Sequence, residues 1–364
     1  MNSSESERPW HGGDLNLARI RFGHQQLIDF SANMNPLGPP PSVWRALTEH
    51  LPDIVHYPDP YARELCQALA EHLNISPANL ILGNGSVELI YLLPRLASFK
   101  RAALPAPGFS EYDYAVRLTS TQCTYLYQTP PDYSWDLDRL KTAVAEGGLI
   151  FLCNPNNPTG ALLSRDALND LLEVLPSSAL LIMDEAFIDF VDRAEEITLI
   201  PQAIKDPRLL VLGSLTKFFS LPGLRLGYLV GSPDLINRLA SLLPPWNINM
   251  LAQVAGVASL QDKEFIVRSR TFMTQTRQQL YELLADIPGL NPLPPTANFI
   301  FCHLSPELPN APKVVELMGQ RGFLLRDCSN YRGLDDHCLR LAVRRQEDNL
   351  AMAAALREVM ARGM

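Results

Sequence analysis

Four short apolar runs, each stopping at a polar cluster, set the strongest limit on what this chain can become. They are "LIFLCNPNNPTG" (149–160), "ALLIMDEAF" (179–187), "RLLVLGSLTK" (208–217) and "GLRLGYLVG" (223–231). Their apolar residues are consecutive rather than alternate, the pattern of strands covered on both faces. Amphipathic stretches such as "ARELCQALAEHL" and "VELIYLLPRLA" alternate with further runs such as "NLILGNG" and "RAALP". The reading is an α/β fold, with a mostly parallel sheet sandwiched by helices. Ligands of such sheets sit beyond the carboxyl ends of the strands, where the polar clusters fall.

The chain has 364 residues, 47% hydrophobic and 19% charged, and a formal net charge of −8. That length suits one large and one smaller domain. The negative balance argues against a nucleic-acid or acidic-membrane partner, so an anionic ligand needs a local basic pocket. No apolar run approaches the roughly 20 residues of a membrane span. "MNSSESERPW" lacks the basic and apolar regions of a secretory signal. Six cysteines are scattered without a CxxC pair, which reads as reduced thiols, a cytoplasmic location and no metal site. Proline and glycine in "ADIPGLNPLPPTAN" mark a boundary near 285. The expected division is an extended N-terminal arm (1–40) packing on the small domain, a large domain (41–285) and a small C-terminal α+β domain (286–364).

Lys217 stands in "GSLTKFFSLPGLRLGY", surrounded by hydroxyls, glycines and apolar residues, where an ammonium is costly without a partner. Asp184 closes an apolar strand, where a carboxylate is equally costly. One reading makes Asp184 a helix cap or half of an ion pair. The other sets it against the protonated ring nitrogen of pyridoxal phosphate, with Lys217 holding that cofactor's aldehyde. Asn157 in "NPNNPTG" is either part of a generic turn or a donor to the ring's phenolic oxygen. Ser214, Thr216 and Arg225 form either a strand-edge loop or a phosphate cradle. In "LGNGSVELI", a glycine turn opening a helix offers the backbone of Ser86 and Val87 to the same phosphate. Phe109 in "PAPGFSEYDYA" is a core aromatic or the cover of a ring face.

In their order along the chain, "NPNNPTG", "DEAF" and "SLTKFFSLPGLRLGY" resemble the fold-type I pyridoxal-phosphate enzymes, in the branch of the histidinol-phosphate aminotransferases. The resemblance implies that Lys217 binds the cofactor, Asp184 pairs with its ring nitrogen and Asn157 contacts its ring oxygen. It assigns Ser86, Val87, Ser214, Thr216 and Arg225 to the phosphate and Phe109 to the ring face. Tyr57 in "VHYPDP" matches a tyrosine that reaches the neighbouring subunit's cofactor, so a homodimer with shared active sites is implied. Phe187 departs from the tyrosine usual in those aminotransferases, which leaves Asn157 alone on the ring oxygen.

The bond that breaks at Cα is chosen by the residues that orient the substrate. Arg340 in "CLRLAV" matches the family's anion-binding arginine, and Arg326 in "LLRDCSNY" supplies a second cation, which suits a phosphorylated amino acid. His11 and Gly12 of "WHGGDL" are expected to close over the phosphate and Asn33 of "FSANMNPLG" to meet the carboxylate end, though a flexible turn explains the glycines equally. "HGG", "DFSANMNPLG" and Phe187 together resemble the threonine-phosphate decarboxylases of cobalamin biosynthesis. The expectation is therefore a decarboxylating lyase. A histidinol-phosphate aminotransferase is the nearest alternative and a non-catalytic sensor of the same fold a remote one. Gly213 stands where related enzymes often carry arginine.

Overall fold

The computed structural model describes residues 11–24 and 26–361. Seven strands form the main sheet, in the spatial order Leu80–Asn84, Leu226–Val230, Leu209–Ser214, Ala179–Asp184, Gly148–Cys153, Arg101–Ala106 and Gln122–Tyr127. Only Leu226–Val230 runs against its neighbours. The other contacts between neighbours are parallel. Consecutive apolar residues produce this because the central strands are buried along their whole length, with Leu149, Leu181 and Leu210 each 0% exposed. Even the polar ends are buried, and register aligns them: Cys153 pairs with Asp184, and Asp184 with Leu212.

A second, antiparallel sheet follows the long helix Lys263–Ala285, in the order Arg326–Asp327, Cys338–Ala342, Phe299–Leu304 and Leu290–Pro292. The helices Ala311–Gly319 and Gln346–Ala361 accompany it. One apolar core runs through both regions, from Val43 and Leu181 to Leu341 and Leu356. The second sheet is thus bound to the first by shared burial rather than by a linker.

The arm differs from its expectation. Its first ten residues lie outside the described ones, but Leu15–Phe22 is helical. The Asp14 side chain accepts from the Leu17 amide and Gly23 closes the helix in the left-handed region (φ 72°). Ile28–Asp29 then pairs parallel with Phe323–Leu324, and the Phe30 carbonyl accepts from the Ala342 amide (2.8 Å). The extended character survives only after residue 30, where Asn35 donates to the Phe218 carbonyl (2.8 Å) and its amide to the Lys217 carbonyl (3.0 Å).

Gly213 acquires a physical reason. A Cβ there would lie 2.0 Å from Cζ of Tyr228, its cross-strand partner, so the Tyr228 ring fills the space of the missing side chain. Gly213→Ala should destabilise the protein by about 1–3 kcal/mol through overpacking, read as a lower midpoint in denaturant at unchanged slope. An unchanged midpoint would mean that the ring can move aside.

Candidate active site

The strand ends open on a cavity of about 500 Å³. Of the residues singled out in the sequence, His11, Gly12, Asn33, Val87, Phe109, Asn157, Lys217, Arg225, Arg326 and Arg340 line it, as does Phe187. Ser86, Asp184, Ser214 and Thr216 do not line it, and the last three are buried. Tyr57 is 85% exposed and rests against Trp246, with ring centroids 5.3 Å apart, away from the cavity of its own chain.

Lys217 follows strand Leu209–Ser214 on the single turn Leu215–Phe218. Burial, and then the cations of Arg340 and Arg225, push its ammonium down to about 8. Burial pushes the Asp184 carboxyl up, against the hydrogen bonds it accepts. Those come from the Tyr112 hydroxyl (2.6 Å) and the Ala186 amide (2.9 Å). Among the described residues Asp184 makes no ion pair, so the ion-pair reading of its sequence position fails, and its position is not a helix cap either. The Lys217 ammonium also acts on Asp184 through space, and a buried carboxylate with two neutral donors and no cation in direct contact suits a cationic ring nitrogen.

The loop carrying Asn157 is wired by the asparagine before it. Asn156 donates to the Pro107 carbonyl, Gln128 Oε1 and Thr159 Oγ1, all at 2.9–3.0 Å. Asn157 accepts at Oδ1 from Arg340, which leaves its Nδ2 hydrogens to donate. Arg340 also donates from Nη2 to the Ser31 carbonyl (2.8 Å), so one guanidinium ties the arm to both sheets.

The group expected to cradle a phosphate stands on two close approaches. A Cβ on Gly85 would lie 2.4 Å from Arg225 Nη2, and one on Gly227 would lie 2.2 Å from the Ser86 nitrogen. Glycine thus lets the guanidinium reach the start of helix Ser86–Leu92, whose amides have no side-chain cap. Arg225 itself is held at φ 60°, strained for a non-glycine residue. Thr216 spends its hydroxyl on the Leu226 carbonyl (3.1 Å), bracing the two antiparallel strands.

Arg326 and Arg340 are both buried, 7% and 5% exposed, and neither pairs with a carboxylate among the described residues. Arg326 donates to Asn330 Oδ1 (2.8 Å) and lies over the Tyr331 ring at 5.1 Å. Arg340 Nε and Asn33 Oδ1 are buried without a protein partner. His11 Nε2 meets Glu111 Oε1 at 2.7 Å, and Glu111 Oε2 accepts from the Tyr91 hydroxyl (2.7 Å).

Sequence reasoning missed Tyr112, Tyr331 and Glu111. Tyr112 was legible in part, since it lies in the quoted "PAPGFSEYDYA" one helical turn beyond Phe109. Tyr331 and Glu111 meet their partners only through tertiary contacts.

Fold and site define a pyridoxal-phosphate-dependent enzyme of fold type I. Residues 25–356 match the aminotransferase class I and II family, and the chain belongs to it. Threonine-phosphate decarboxylase of Salmonella typhimurium is 37% identical over 96% of each chain. Histidinol-phosphate aminotransferase of Moorella thermoacetica is 33% identical over 96% of this chain and 90% of the relative. The crystal structure of histidinol-phosphate aminotransferase from Sinorhizobium meliloti in complex with pyridoxal-5'-phosphate superposes with a TM-score of 0.89 at 26% identity, covering 100% of this chain and 98% of that one.

Tyr112→Phe should weaken cofactor retention about tenfold, the equivalent of roughly 1.5 kcal/mol for a hydrogen bond to a charged group. Equilibrium dialysis against the free cofactor measures it, and unchanged retention would remove Tyr112 from the site. Because Lys217 is neutral only above about 8, cofactor uptake by the stripped protein should accelerate as pH rises through that value. Stopped-flow absorbance follows this uptake. A midpoint near that of ordinary lysine would contradict the burial argument.

Proposed function

We propose that the chain is a lyase that removes carbon dioxide from L-threonine O-3-phosphate, giving (R)-1-amino-2-propanol O-2-phosphate for cobalamin biosynthesis. The observation that carries the reading is the pair of buried guanidiniums, Arg326 and Arg340, without carboxylate partners in one cavity. Two such cations call for a substrate with two anions, a phosphate and a carboxylate. Histidinol phosphate carries only the phosphate, but the keto acid that an aminotransferase also takes carries two carboxylates, so the arginine pair supports a doubly anionic ligand in either case. Phe187 in the cavity wall and the 37% identity to a threonine-phosphate decarboxylase support the lyase. The relatives that are histidinol-phosphate aminotransferases, at 33% identity and below, keep nitrogen transfer as the rival.

When bound, pyridoxal phosphate supplies an electron sink for the pair released from a bond to Cα. The residues of the chain do the rest. Asp184 holds positive charge at the ring nitrogen, and Tyr112 holds Asp184. Arg225, the amides of Ser86 and Val87, and Ser214 and Thr216 would hold the cofactor phosphate. Phe109 covers the ring and Asn157 donates to its oxygen. Arg340 and Asn33 grip the substrate carboxylate and so select the bond that breaks. Arg326, His11 and Gly12 receive the substrate phosphate. Lys217, its ammonium lowered to about 8, would hold the cofactor's aldehyde, take up the proton that the substrate ammonium gives up on binding, and deliver that proton from Nζ to Cα unless a water does so.

The proposed assembly is a cytoplasmic homodimer, divided at residues 40 and 285, with Tyr57 reaching the partner's cofactor phosphate. Its support is the exposed aromatic group of Trp44, Tyr57, Tyr61 and Trp246, apolar surface of the kind that marks an interface. Among the described residues no helix is long and apolar enough to cross a membrane.

Purified enzyme given phosphothreonine should release carbon dioxide stoichiometrically. With histidinol phosphate and 2-oxoglutarate it should form little glutamate. The reverse pattern would transfer the chain to the aminotransferases and leave the fold untouched. Arg326→Ala should cost kcat/KM for phosphothreonine about 10- to 100-fold, for a lost charged hydrogen bond, with cofactor binding retained. Equal loss of both would place Arg326 in the cofactor site.

A further inference from the structure

Cys338, His303 and Asp335 take no part in the site described above, yet the second sheet brings them together. His303 stands directly opposite Cys338 in the antiparallel ladder, and Asp335 lies in the turn leading into the Cys338 strand. Cys338 Sγ is 3.3 Å from Asp335 Oδ1 and lies almost equally far from the two ring nitrogens of His303, 3.9 Å from Nδ1 and 3.8 Å from Nε2. One donor atom from each of the three falls within 4.8 Å of the others. Around tetrahedral zinc, with bonds of about 2.3 Å to sulfur and 2.0–2.2 Å to nitrogen and oxygen, neighbouring donors stand roughly 3.3–3.6 Å apart. The cluster needs adjustments of tenths of an ångström, plus closure of the nitrogen–oxygen edge, to meet that spacing.

The rest of the environment is that of a metal ligand set. His303 Nε2 lies 2.6 Å from the Tyr133 hydroxyl, the outer partner that fixes a ligating histidine and leaves Nδ1 for the metal. Tyr133 is 3% exposed and held at φ 53°, an outlier for a bulky residue that persists only where its surroundings enforce it. Asp335 is exposed and His303 half-buried while Cys338 is buried, so an ion has an entry path and a fourth position for water.

We propose that Cys338, His303 and Asp335 form a binding site for a zinc-class divalent cation. Cys338 Sγ loses its proton to solvent on binding, and the thiolate and carboxylate together balance the dication. The bound ion would clamp the turn at Asp335, the strand Phe299–Leu304 and the strand Cys338–Ala342. The Cys338 row of the ladder is two residues along from the Arg340 row, roughly 7 Å away, and lies on the same face of the sheet.

Chelator-treated holoenzyme should regain one zinc per chain, with X-ray absorption showing a single sulfur neighbour at about 2.3 Å. That sulfur separates this site from any metal held at the cofactor. Zinc should also raise Tm by a few degrees. Cys338→Ser should abolish the sulfur signal, and Asp335→Asn, at an exposed position, should lower affinity at least tenfold with the fold intact. Tyr133→Phe should lower it by 10- to 100-fold. Absence of stoichiometric zinc, a zinc signal without sulfur, or undiminished binding by Asp335→Asn would overturn the proposal.

Discussion

A carboxylate buried at a strand end, with the Lys217 ammonium acting on it through space but no cation within ion-pair distance among the described residues, is the constraint around which this structure is arranged. Asp184 is 4% exposed and satisfied only by a phenol and an amide. An ionised carboxylate left so is costly, and burial raises its pKa as expected. A cationic ring nitrogen placed there, as proposed, would remove the cost, so apolar burial of the central strands would make the polypeptide complementary to its cofactor. Lys217 follows the opposite logic: burial and two guanidiniums lower its pKa to about 8, and a nucleophilic amine results.

In the proposed function, Arg340 joins this cofactor logic to substrate recognition. Its guanidinium reaches Asn157 on the large sheet and Ser31 on the arm while its strand belongs to the second sheet. Three distant segments of sequence therefore share one charge. Its Nε has no protein partner, leaving a buried donor for an anion. Arg326 stands one strand over and directly opposite in register, and its guanidinium donates to the nearby Asn330. Spacing two cations by a β-ladder fixes their separation more rigidly than loops would, which suits discrimination between doubly and singly anionic substrates.

Much of the large sheet was legible because burial on both faces writes itself as unbroken apolar runs. The residues closing those runs, Asp184 and Ser214, were legible for the same reason: a polar residue at the end of a buried strand is conspicuous. The arm was read less well. Asp14 and Gly23 cap a helix whose face is only weakly apolar, so no strong period announces Leu15–Phe22. Thr216 also has a tertiary partner that its sequence position does not show. A hydroxyl one residue from a lysine reads as a ligand, yet here it closes a contact between antiparallel strands that no local pattern shows.

The amino-acid sequence by itself determined the doubly covered sheet, the strand ends at which polar groups collect and the set of residues available for chemistry there. Those follow from hydrophobic pattern and turn composition, which are local properties. The tertiary structure alone decided which partners those groups meet: Tyr112 on Asp184, Tyr228 in the space at Gly213, His303 against Cys338 and Arg340 across to Ser31. Each of these pairs is separated by too many residues for any periodicity to connect. Only strand register and helix packing bring them within a few ångströms.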